Sequence, residues 1–492
     1  MNEPISILHI SDLHRSCNSH ISNSALLSSL LNDIERYGSE IPMIIEPNVI
    51  VVSGDVIRGS TSQDNSDDEI NAQYAEAQNF LNDLVEKILG GDKSRIVLVP
   101  GNHDIDWNVS RCSMERISDD QVLDKNGRLK SGVFEDAVNT HSDIKWCWSD
   151  LSFYRIKNME VYEERLRYFV DFYSDFYEGE KTYSIRPYEQ YDIFDIPDLG
   201  ITIVGFNSCY NNDHLNRAGA IHPDCIANSN IALKKNKTKG RLLLAAWHHN
   251  TNGMPYANDY MDNSFLKNLI DSDVKFGFHG HQHKTEVIHE ANNVFEQKKI
   301  TVFSSGTLCG GPKDLPTGYN RQFNVITISN NAKDKSVLNV VLHSREKTAA
   351  SSFDNPVWGK GNIDSSVNSY ITLTFLHEVT TLNTDNELSK AELLVSDKKY
   401  GAAIKELEKL DKNDPIVRTF LLKCYFELDD FNSILDEFYD PINIEEAVHA
   451  LNASLSSTDQ KKIRKLLSSS LIRLSDDPSI IHIKKKIEAS LK

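Results

Sequence analysis

Five strand-length apolar runs in this chain each end in a cluster of metal-ligand side chains, and that repetition constrains the fold more than any other feature. Ile5–Ile10 leads to Asp12-Leu13-His14, Val49–Val52 to Gly54-Asp55, and Ile96–Val99 to Gly101-Asn102-His103-Asp104. Leu242–Ala246 leads to Trp247-His248-His249, and Val274–Phe278 to Gly280-His281-Gln282-His283. Buried strands read as near-continuous apolar runs, and the loops at their carboxyl ends are where α/β folds place chemistry. A single His-x-His is common. Five clusters, each at a strand end, predict one shared site.

The residue types narrow what that site does. Mixed His, Asp and Asn donors suit Mn²⁺, Fe²⁺ or Zn²⁺ better than Ca²⁺, which takes all-oxygen shells. A phosphoester resists attack because its anionic oxygens repel nucleophiles. Two divalent cations roughly 3.5–4 Å apart offset that charge and acidify a water. Cations so close need a shared anionic ligand, and Asp55 at a Gly turn is the candidate bridge. Taken singly, His9, His20, His214, His222 and His289 read as ordinary surface or core histidines.

At 492 residues the chain has room for two or three domains, and its 40% hydrophobic and 25% charged content is that of a globular protein. The net charge of -18 argues against a general polyanion binder, although a local groove can still be basic. Seven cysteines without CxxC spacing fit reduced thiols, no apolar run is long enough for a membrane span, and a cytoplasmic location is expected. Strand and helix patterns alternate through the first hundred residues, as in a partly parallel sheet. Residues 110–191 then interrupt with many aromatics, among them Trp146, Trp148, Phe169, Phe172, Tyr173 and Phe176. They are expected to form a helical insertion, its rings either packing a subdomain core or forming a lid that stacks a base. The expected domains are 1–360 (catalytic), 361–385 (linker) and 386–492 (helical). In the last, Tyr400 and Phe431 each open a helix in a weak repeat resembling the tetratricopeptide type.

The ordered set Asp-x-His, Gly-Asp, Gly-Asn-His-Asp, His and Gly-His-x-His resembles the calcineurin-like metallophosphoesterase superfamily over roughly residues 5–345. The resemblance implies an α/β fold, a four-layer αββα sandwich, here with an all-α C-terminal domain appended. It implies that Asp12, His14 and His283 hold one divalent ion and Asn102, His248 and His281 another, with Asp55 bridging and Mn²⁺ the expected metal. His103 would not ligate. It would protonate the leaving oxygen, oriented by Asp104 or another nearby carboxylate.

The opening Ile7-Leu8-His9-Ile10-Ser11-Asp12-Leu13-His14 is similar to class III cyclic nucleotide phosphodiesterases and SbcD-type nucleases. Gly54-Asp55-Val56-Ile57-Arg58-Gly59 lacks the second Asp of the protein phosphatase motif, and His248-His249-Asn250-Thr251 departs from the His-His-Pro-Pro of small-nucleotide enzymes. The expected substrate is therefore a nucleotide or nucleic acid, and His249, Arg58, Lys313 and Arg321 are candidate substrate contacts. A different class stays open: an interaction module whose helical tail recruits a protein partner or a second copy, with little turnover at the metals.

Overall fold

The computed structural model describes residues 4–60, 66–138, 142–147, 149–237, 240–252, 259–291, 299–331, 337–363, 368–376, 390–391, 394–395, 398–412, 414–475 and 477–490. The chain divides into two compact units, the first ending at residue 379 and the second built almost wholly from residue 380 onward.

The first unit opens with β1 (Ile5–Ile10), β2 (Val49–Ser53) and β3 (Ile96–Val99), joined through the helices Asn23–Ile34 and Ser66–Leu89. The three strands pair in parallel, the arrangement that crossover helices permit. β4 (Met114–Arg116), β5 (Ile144–Cys147) and β6 (Ser152–Ile156) make a small separate antiparallel sheet, in the order β4-β6-β5. A second large sheet follows from β7 (Tyr191–Ile196), β8 (Ile201–Phe206), β9 (Leu242–Ala246), β10 (Val274–His279), β11 (Glu286–Ala291) and β12 (Lys299–Ser304), ordered β11-β12-β10-β9-β8-β7. The chain then returns to the first sheet through β13 (Gln322–Asn330), β14 (Val337–Lys347), β15 (Trp358–Lys360) and β16 (Tyr370–Leu376). That sheet runs β15-β14-β13-β1-β2-β3, with β16 also paired to β14.

Side-chain alternation along the second sheet defines the layers. Ile201, Ile203, Leu242, Leu244, Phe276 and Phe278 join the core shared with the first sheet. Their neighbours Val204, Phe206, Leu243, Ala245 and Val302 pack outward, against Cys225 and Leu233 of helix Pro223–Lys237 and Phe265 and Leu269 of helix Ser264–Asp271. On the first sheet's side, Leu26, Leu30, Phe80, Leu81 and Leu84 bring the helices Asn23–Ile34 and Ser66–Leu89 into the shared core. The result is a helix–sheet–sheet–helix stack. Every strand that precedes a ligand motif is completely buried except β10, where only Lys275 is partly exposed.

The aromatic segment departs from expectation. Residues 110–191 carry the three-stranded sheet as well as helices, and the main helix, Arg167–Phe176, belongs to the catalytic core instead of an insertion or a lid. Phe169, Tyr173 and Phe176 are fully buried there, Phe172 stacks on Tyr74 with centroids 4.9 Å apart, and the Tyr177 hydroxyl donates to the Ile96 carbonyl at 2.8 Å. Sequence spacing shows that a helix has an aromatic face, but not what covers it. Trp148 lies outside the described residues.

The expected linker 361–385 also contains structure. β16 pairs with β14 from Tyr370↔His343 to Leu376↔Val337, so the first sheet extends past residue 360, while 377–385 lie outside the described residues. In the second unit every described element is a helix, from Tyr400–Leu407 to Pro478–Ser490. Ala403, Leu421, Ile434, Ala447, Ala450 and Leu451 form its core, and Tyr400 and Phe431 each open a helix. No described helix is long and apolar enough to cross a membrane.

Candidate metal centre

The loops that leave β1, β2 and β10 hold their ligands in an unfavourable backbone conformation. Asp12, His14, Asp55, His281 and His283 have φ of 53°, 43°, 51°, 72° and 56°. Non-glycine residues in this left-handed region are uncommon, and each costs on the order of 1–3 kcal/mol that surrounding contacts must offset. A lattice between loops does so. The Asp12 and His14 amides donate to the Gly54 and Asp55 carbonyls at 3.1 and 3.0 Å, Gly280 N donates to the His248 carbonyl at 3.1 Å, and Thr307 Oγ1 donates to the Asp12 carbonyl at 2.7 Å. Glycine is required where loops meet ligands: a Cβ at Gly101 would strike Asp55 Oδ1, and one at Gly280 would strike Ser11 and Asp12.

This lattice brings all seven proposed donors together. His283 Nε2 lies 3.1 Å from Asp12 Oδ1 and 3.4 Å from His14 Nε2. His248 Nε2 lies 3.1 Å from Asn102 Oδ1, 3.2 Å from His281 Nδ1 and 3.4 Å from Asp55 Oδ2. His14 Nε2 is 3.9 Å from both Asp12 Oδ1 and Asp55 Oδ2, so Asp55 stands between the two groups. Asp12, His14 and His283 converge as one set of ligand atoms, and Asp12, Asp55 and His248 as another.

The ring tautomers suit ligation. His248 Nδ1 donates to the Ser53 carbonyl at 2.8 Å and His283 Nδ1 to the Asp314 carbonyl, which leaves each Nε2 lone pair aimed inward. In each half of the site a nitrogen of one ring faces a nitrogen of another, His14 and His283 at 3.4 Å and His248 and His281 at 3.2 Å. Such a donor set fits divalent cations with nitrogen and oxygen ligands.

The charges agree. Burial disfavours an ionised Asp55, yet the surrounding His248, His103 and His14 rings hold its carboxyl well below the usual range. Burial also opposes a charged His248 or His283, but Asp55 and Asp12, respectively, outweigh it and push both rings up to about 9. His14, buried and beside His103, is pulled down to about 4.

His103 stands apart from the seven. Its side chain is 41% exposed, its Nε2 is 4.0 Å from Asp55 Oδ2, and its Nδ1 donates to the Arg58 carbonyl at 2.6 Å. Asp104 does not orient it. The Asp104 carboxylate instead accepts from Gly101 N (2.8 Å), Val56 N (3.2 Å) and the Tyr74 hydroxyl (3.0 Å), stapling the second motif loop to the third. Burial, with Asp55 nearby, raises Asp104 to about 6.

A cleft of about 150 Å³ opens beside this half of the site, lined by His14, Ser19, His20, Arg58, His103, His283, Cys309, Gly311 and Asp314. Arg58 thus lines the cleft, as does His20, which the sequence left among ordinary histidines because no motif contains it. Two expected substrate contacts lie elsewhere. His249 is fully buried behind the ligands, its Nδ1 3.0 Å from Ser208 Oγ and its ring packed on His281. Arg321 is fully buried and donates to the Gly310 and Phe353 carbonyls at 2.7 Å each, so it braces the 304–313 loop from within. Lys313 is exposed on that loop but does not line the cleft.

Comparison with known proteins adds a family. The model for calcineurin-like phosphoesterases matches residues 5–285. Among solved structures, a dimetal phosphatase from Danio rerio aligns with 70% of this chain and 97% of its own, at 10% identity and a TM-score of 0.37. No curated protein matches the sequence.

Proposed function

The chain belongs to the calcineurin-like phosphoesterase family of metal-dependent phosphoester hydrolases, and on that premise we propose that it is a phosphodiesterase acting on a nucleotide or nucleic acid. Two divalent cations, Mn²⁺ first among the candidates, would when bound offset phosphate charge and lower the pKa of a water. Asp12, His14 and His283 would hold one, Asn102, His248 and His281 the other, and Asp55 both.

The observation that carries the reading is the placement of His103. With Nδ1–H committed to the Arg58 carbonyl, Nε2 is the ring nitrogen left to exchange a proton, at the cleft and beside Asp55. As the water oxygen bonds to phosphorus and the opposite P–O bond breaks, Nε2 gives its proton to the leaving oxygen. Among the described residues the rings that line the cleft are histidines, and Arg58 stands beside them, which suits recognition through phosphate and sugar.

Cleavage of end-labelled single- and double-stranded DNA and RNA with Mn²⁺, beside bis(p-nitrophenyl) phosphate, tests this. Polymer cleavage that His103→Ala abolishes identifies a nuclease of the SbcD type. Hydrolysis of the small diester with polymers left intact identifies a nucleotide phosphodiesterase. Activity only on phosphomonoesters overturns the proposal.

A further inference from the structure

The two carbonyl-held ligand rings present Nε2 to the site, but His281 is turned the other way round. Its Nδ1 faces inward, 3.2 Å from His248 Nε2, and its Nε2 points out of the ligand group with no hydrogen-bond partner of good geometry. The group facing that outer nitrogen is the Asp259 carboxylate, with Oδ2 at 3.5 Å. Asp259 is in none of the five motifs, yet its segment is fixed to the ligand loops. Met261 N donates to the Asn250 carbonyl at 2.8 Å, and the Met261 side chain is buried in the outer core of the second sheet. Gln282 Nε2, from the loop of His281 itself, donates to the Asn252 carbonyl at 2.8 Å.

We infer that Asp259 is the positioning residue of His281, accepting Nε2–H and so fixing the tautomer in which the Nδ1 lone pair faces the cation shared with Asn102 and His248. A neutral imidazole carries one N–H, and an acceptor on one nitrogen dictates which nitrogen can ligate. Ser53 and Asp314 supply a backbone carbonyl for His248 and His283; at His281 a side chain takes that part. The inference rests on the two-cation reading above, and removing the partner should weaken one of the two cations alone.

Calorimetric titration of Mn²⁺ into metal-stripped protein tests it, using wild type, Asp259→Ala, Asp262→Asn and His281→Ala. Asp262 lies on the same segment and is exposed, so its substitution removes an equal charge without touching His281. The wild type should take up two equivalents. Asp259→Ala should keep one unchanged and weaken the other about 10–100-fold, with the melting temperature of the metal-free protein unaltered and Asp262→Asn like wild type. Unchanged affinity for both equivalents in Asp259→Ala, while His281→Ala loses one, would overturn the role of Asp259 and leave the two-cation site standing. Equal weakening by Asp262→Asn would reduce the effect to net charge and overturn the inference. Fewer than two equivalents in wild type would overturn both readings together.

Discussion

The strand-end loops of the first unit and the helical second unit solve opposite problems. In the loops, five of the proposed ligand residues adopt left-handed backbone, the carboxylates of Asp12, Asp55 and Asp104 are buried, and imidazole nitrogens face each other at 3.4 and 3.2 Å. In the helical unit, Ala403, Ala447, Ala450 and Leu451 pack an apolar core, and the nearly buried Glu446 is matched by a bidentate Arg418 at 2.8 and 2.7 Å. One region concentrates left-handed backbone and buried charge; the other packs apolar side chains around a paired carboxylate. Unpaired cost of this kind marks function more reliably than burial or packing does.

Substitutions should separate the regions. Asp55→Asn strikes the carboxylate common to both ligand groups. It should lower turnover of bis(p-nitrophenyl) phosphate by about 10⁴-fold or more and leave less than two metal equivalents by elemental analysis. Should metal content and turnover both survive, the bridge is misplaced.

His103→Ala would remove the proposed proton donor and none of the seven proposed ligands. A loss of about 10²–10⁴-fold in kcat with metal stoichiometry intact is expected. The loss should be smallest for an ester whose leaving group needs no proton, such as p-nitrophenolate, and a uniform loss across leaving groups would contradict the assigned role.

Metal uptake itself should depend on pH. His248 and His283 sit near 9 in the metal-free protein, so below that value a proton must leave each ring before a cation can bind. Apparent affinity should rise about tenfold per pH unit from 7 toward 9 and level off above. Titrations in buffers of different ionisation enthalpy should show protons released on binding.

The helical unit should respond by stability alone. Leu451→Ala opens a cavity in a fully buried position and should cost about 2–5 kcal/mol in denaturant unfolding of that unit. Metal content and turnover per folded molecule should not change. A variant that lost metal would show the contrast between the regions to be false.

Much of the catalytic unit was legible because its signals are local. A buried strand announces itself as an apolar run, and a candidate ligand loop as His and Asp immediately after it, so the fold class and the candidate clusters could be read from short windows, while the assignment of seven donors to two cations came from the family resemblance. What was missed is set by distant packing. The helix Arg167–Phe176 showed its aromatic face, but its cover, Tyr74 and the Ile96 strand, lies some eighty or more residues away in sequence. Arg321 read as a candidate substrate contact, although it is buried and donates to the carbonyls of Gly310 and Phe353. His20 and Asp259 belong to no motif, and only the folding of their segments against the ligand loops reveals them.

The central claim is that this strained, charged cluster works as a pair of cation sites. Stepwise addition of Mn²⁺ to the metal-stripped protein, with bis(p-nitrophenyl) phosphate hydrolysis and bound metal followed together, tests it most directly. Turnover should stay near background through the first equivalent and rise with the second. Full activity with one equivalent, or with none, would contradict the account.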